Sequence, residues 1–160
     1  MKRILLFVTV LFLCFHLTGH VYESLVLVPN WKSGEVADVV RYVDFIRIGM
    51  PSHFFAIAQF GCLLLSLVTF IAAWSEKEKV RMFAGLTLLI SVIVMAGTFI
   101  IFVPINIYMG STTNFDPVEL KTKVTTWVNF EYVRIAVIAL GLVTSIAALE
   151  FYERKSRSRS

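Results

Sequence analysis

The chain has 160 residues, of which 58% are hydrophobic and 16% charged, with a formal net charge of +4. A mean hydropathy of +0.78 is too apolar for a water-soluble domain of this size. The basic excess sits at the ends of apolar segments, where lysine and arginine set membrane orientation, so it does not point to nucleic acid.

Four apolar stretches follow in chain order, at residues 4–28, 54–74, 83–104 and 128–149. A hydrocarbon core about 30 Å thick takes about 20 helical residues to cross. Backbone groups in hydrocarbon must satisfy one another. The stretches therefore predict an all-α membrane protein: a single domain over residues 1–160, with four transmembrane helices in an antiparallel bundle. One side of the membrane receives Lys2, Arg3, Lys77, Lys79, Arg81, Arg154, Lys155, Arg157 and Arg159. The other receives only Lys32, Arg41, Arg47, Lys121 and Lys123. The positive-inside rule then places both termini in the cytoplasm, with a plasma or inner membrane as the setting. The tail Arg154–Arg159 suits an anionic leaflet, but a plain stop-transfer flank is sufficient to explain it and is the favoured reading.

Lys2 and Arg3 before Ile4–Phe15 imitate a signal peptide, but no A-x-A-like site follows and the apolar pattern runs on to Val28. An uncleaved first helix is expected. Cys14 and Cys62 fall inside the spans without a C-x-x-C, and read as small apolar packers.

The first connection carries Val36, Val39, Val40, Val43 and Ile46 at helical spacing. Asp38, Arg41, Asp44 and Arg47 recur on another face, close enough to pair. This predicts an amphipathic helix over 35–48, either on the membrane interface or as a lid over the bundle mouth. Gly49 and Pro51 mark its stop. Residues 75–81 form a tight charged turn. In the third connection, Asp116-Pro117-Val118-Glu119 supplies an N-cap, a proline at the first helical position and an acid after it, so a helix starts there. Pro104 cannot donate to the carbonyl of Ile100, which predicts a kink near the end of the third span. No internal repeat stands out.

Ionisable groups at membrane depth are costly and mark functional candidates. His16, His20 and Glu23 share one face of the first helix. His53 opens the second helix, with Gln59 deeper. Asn106 closes the third. Trp127, Asn129, Glu131 and Arg134 open the fourth. All four helices thus bring polar side chains to the outer half of the bundle. The cytoplasmic half brings almost none, which argues against an ion or proton path. Two readings of Glu23, Glu131 and Arg134 stand side by side: structural ion pairs, or a catalytic set. His20 beside Glu23 is either a ligand with its orienter or part of an acid–base pair. His16, His20, Glu23 and His53 are the donors available to a metal such as iron, copper or zinc. A metal or haem site is the minority reading, and cofactor-free chemistry the main one.

Phe102-Val103-Pro104-Ile105-Asn106, followed by Trp127, Asn129 and Arg134, resembles the small four-helix membrane family that contains the anthrone oxygenases. Gly19, Glu23, Pro29 and Met50-Pro51 fit that family more loosely. The resemblance implies a four-helix membrane fold, oxidation of polyketide anthrones to anthraquinones in some members, no well-defined cofactor, and a site that includes Asn106, Trp127, Asn129 and Arg134.

Two functions follow. One is a membrane oxidoreductase acting on a lipophilic phenol or quinol that partitions from membrane lipid. In it His20 or His53 removes the phenolic proton, Glu23 orients the histidine, Arg134 and Asn106 stabilise the oxyanion, and Trp127, Asn129 and Glu131 line the substrate. The other is a non-enzymatic assembly, transport-accessory or lipid-binding protein whose polar mouth docks a membrane partner or a second copy of the chain.

Overall fold

The computed structural model describes residues 1–47, 49, 51–111 and 114–157. Ile48, Met50 and Arg159, which the sequence reading placed in the amphipathic segment, before the second span and in the basic tail, lie outside them. The described residues contain helices and turns, and no strand. Four helical segments are long and apolar enough to cross a membrane: Lys2–Asn30, Pro51–Ala73, Glu78–Ser111 and Pro117–Arg154. The protein is a multi-pass membrane protein built as a helical bundle.

The first segment begins with α1 (Lys2–Tyr22). A short helix α2 (Val36–Ile46) precedes the second span, α3 (Pro51–Ala73). The third segment comprises α4 (Glu78–Gly97) and α5 (Val103–Ser111), and the fourth is the single helix α6 (Pro117–Arg157). α1 packs on α3 and α6, and α4 packs on the same two, so the long helices form a ring in the order α1, α3, α4, α6. At one end, Lys2 Nζ donates to Ser75 Oγ (2.7 Å) and Glu76 Oε1 (2.8 Å), and Arg3 Nε donates to Glu153 Oε1 (2.7 Å). These bonds fix the start of α1 beside the α3–α4 turn and the last turns of α6.

The expected kink at Pro104 takes a different form. The backbone widens into a π-helical turn at Thr98–Phe102, where the Val103 N–H bonds to the Thr98 carbonyl, and the helix then continues through Pro104 as α5. The first segment does the same. Glu23–Leu27 is π-helical, the Val28 N–H bonds to the Glu23 carbonyl, and Pro29 follows. A proline ring crowds the carbonyl four residues back, and an inserted wide turn relieves the crowding without breaking the rod. Asn30 Nδ2 donates to the Val26 carbonyl (2.8 Å) beside the break. The two Val-Pro steps are a structural repeat that the sequence reading missed.

α2 is a lid. Its Val39 and Tyr42 are buried in a cluster with Val28, Trp31, Phe102, Met109, Leu120, Val124 and Trp127. Trp31 stacks on Tyr42 (centroids 5.3 Å apart) and meets Trp127 edge-on (4.9 Å). The acid–base stripe faces away: Asp38 pairs with Arg41 (3.8 Å) and Asp44 with Arg47 (3.5 Å). As its sequence predicts, α6 is capped by Asp116, whose Oδ1 accepts from the Val118 (2.8 Å) and Glu119 (3.2 Å) backbone N–H groups.

The interior away from the lid corrects one expectation. It is not nearly free of polar groups: Thr9, Ser66, Thr69, Thr87, Ser91 and Ser145 are buried there. Thr9 and Thr69 share a hydrogen bond at 2.7 Å, and Ser66 and Ser91 another at 3.1 Å. Such hydroxyls score close to neutral in a hydropathy scan and so escape it, and Thr9, Ser66, Thr69, Thr87 and Ser91 each bond a neighbouring helix or their own backbone.

Candidate functional site

The lid-side half of the bundle holds a buried cluster drawn from α1, the π-turn after it, and α6. The i, i+4 and i, i+7 spacing of His16, His20 and Glu23 brings all three inward, where each is buried. Opposite them, Glu131 and Arg134 lie one turn apart on α6. Arg134 donates to Glu131 Oε2 through both Nε (2.8 Å) and Nη2. His20 Nδ1 lies 2.9 Å from Glu131 Oε1 and 3.6 Å from Glu23 Oε2. His20 Nε2 lies 3.1 Å from His16 Nε2, so one ring N–H bonds the two histidines.

Glu23 is the under-partnered member. Its side chain is 8% exposed, and Oε2 sits 3.8 Å from Arg134 Nη2 with no hydrogen-bond partner. Aromatic rings wall the cluster. Phe55 stacks on the His20 ring (4.5 Å), and the Arg134 guanidinium lies 3.5 Å from the Phe102 ring centroid, a cation–π contact in a dry setting. Burial and the nearby charge of Glu23 hold the Tyr42 hydroxyl of the lid above the ordinary tyrosine range.

The other candidates fall around this cluster or away from it. Trp127 is buried above Arg134, and its Nε1 donates to Asn106 Oδ1 (2.9 Å), which ties α6 to α5. Asn106 is otherwise exposed, as are Asn129 and His53. Gln59 pairs with Thr98 (3.0 Å) at the start of the second π-turn. A void beside His16, lined also by Gln59, Cys62 and Ser91, has room for about one water molecule. Of the four metal donors named from sequence, His20 and Glu23 share a donor group with Glu131, whereas His16 meets only the other ring nitrogen of His20 and His53 is exposed.

Sequence reasoning did not foresee Phe55, Phe102 or the pairing of Glu131 with His20. Nothing in the sequence pointed to Phe55 or to that pairing, which depend on the order and rotation of the helices.

The family model for anthrone oxygenase matches residues 49–144, more than half of the chain. The chain belongs to the anthrone oxygenase family. The match includes Asn106, Trp127, Glu131 and Arg134, whereas His16, His20 and Glu23 lie before it. No curated protein and no solved structure matches the chain.

Proposed function

We propose that this member of the anthrone oxygenase family is a membrane oxidoreductase that oxidises a small lipophilic phenol, anthrone or quinol taken from the bilayer. The observation that carries the reading is the Glu23 carboxylate oxygen, buried without a hydrogen-bond partner and 3.8 Å from a guanidinium within a membrane span. An acceptor beside a fixed cation suits removal of a phenolic proton with stabilisation of the oxyanion that forms. Glu23 takes the proton, Arg134 holds the oxyanion, and Glu131 fixes Arg134. His16 and His20 form the hydrogen-bonded chain through which the proton moves on.

Membership of the anthrone oxygenase family supports reading the reaction as an oxidation. An anthrone methylene reacts with dioxygen to give a carbonyl and water: one oxygen atom enters the product and the other leaves with the two hydrogens. The oxyanion makes the substrate electron-rich enough to give electrons to dioxygen. The void beside His16 admits about one water molecule, too little for an aromatic substrate, so substrate entry requires the helices around the cluster to move. The charge count supports termini in the cytoplasm and a lid on the opposite side.

Turnover of a synthetic anthrone under isotopically labelled dioxygen, with the protein in lipid nanodiscs, tests this. One labelled atom in the quinone, formed faster than by autoxidation, supports the reading. Quinone formation at the autoxidation rate refutes it.

A further inference from the structure

We infer that His20, Glu23 and Glu131 form a binding site for a first-row divalent cation. Donors about 2.1 Å from such an ion sit about 3.0–3.4 Å from one another in octahedral or tetrahedral arrangements. His20 Nδ1 is 2.9 Å from Glu131 Oε1 and 3.6 Å from Glu23 Oε2, and all three donor atoms lie within 4.8 Å of one another. One imidazole and two carboxylates suit manganese, iron, cobalt or zinc.

Three further features point the same way. Glu23 Oε2 is a buried acceptor with no hydrogen-bond donor, 3.6 Å from the ligating nitrogen of His20. His16 Nε2 faces His20 Nε2, the partner that a histidine ligating through Nδ1 needs to fix its tautomer and ring plane. Arg134 contacts the Oε2 side of Glu131 and leaves Oε1 turned toward His20. The guanidinium and the cation therefore occupy different sides of that carboxylate.

Charge adds a prediction about substrate. Two carboxylates face one guanidinium, so one negative charge is left over in a low-dielectric setting where unpaired charge is costly. A divalent cation turns that into one positive charge, which a bound phenolate balances. This last step rests on the proposed oxidation, whereas the metal site rests on geometry alone. Glu23 Oε2 and His20 Nδ1, the atoms of the proton route proposed above, would then be ligands, so the ion and that route exclude one another.

The test is a titration of chelator-treated, full-length protein in detergent with cobalt(II) alone, read by its visible absorption. The inference expects one equivalent of cobalt bands in wild type and in His53→Ala. It expects at least a tenfold weaker affinity in Glu23→Gln and no bands in His20→Ala. Thermal melting of each variant shows that it is folded, and Glu23→Asp, which keeps the charge, recovers part of the affinity. Folded wild type without stoichiometric cobalt, or equal binding by Glu23→Gln, overturns the site. Cobalt binding without anthrone turnover leaves the site standing and sinks the oxidase reading. Turnover by metal-free protein with no cobalt bands does the reverse.

Discussion

His20 and Glu131, 111 residues apart, meet at 2.9 Å in the interior and join α1 to α6. Glu131 also holds Arg134, so one carboxylate serves two partners at membrane depth. Removing one member of such a buried set strands the rest, at a cost of about 3–5 kcal/mol. Glu131→Ala is expected to lower the melting temperature sharply. The double variant Glu131→Ala/Arg134→Ala is expected to lose less than the sum of the two single variants. Additive losses in denaturant titrations would show that the contacts are not coupled.

Pro104→Ala restores a backbone donor and removes the ring that crowds the Ile100 carbonyl. The turn at Thr98–Phe102 is then free to close to ordinary α geometry, which would rotate Phe102 away from Arg134. Melting temperature should hold or rise, while oxidation of the substrate falls at least tenfold. Unchanged activity would mean that the wide turn does not position the guanidinium.

Much of this architecture was legible in the sequence, because length and hydropathy decide spans in a bilayer. The four apolar stretches, the Asp116 cap and the 35–48 periodicity all correspond to helices. The π-turns were not legible, since a proline in a span announces disruption without saying how the backbone absorbs it. The buried hydroxyls were also hidden: Ser66 and Ser91 score close to neutral, and only helix rotation shows that they face each other. At the cluster, spacing put His16, His20 and Glu23 on one face. Glu131 as their partner needed the order of helices around the ring, which hydropathy does not give.

Gly34 has φ +71° in the turn that leads into the lid, and an added Cβ would lie 3.0 Å from the Lys121 Cα. A left-handed residue with a side chain costs about 1–2 kcal/mol, and the backbone of α6 cannot move aside cheaply. Gly34→Ala should loosen α2, seen as faster amide exchange across Val36–Ile46 and a lower melting temperature. Exchange equal to wild type would show that the lid is not anchored through this turn.

The most direct test of the oxidase reading is the initial rate of anthrone consumption in nanodiscs, above the autoxidation rate, for wild type, Arg134→Gln and His53→Ala. Loss of a fixed donor to a developing oxyanion typically costs about 100- to 1000-fold. The account predicts that Arg134→Gln falls to background and that the exposed His53→Ala stays within about twofold of wild type. A wild type at background, or Arg134→Gln as active as wild type, would contradict it.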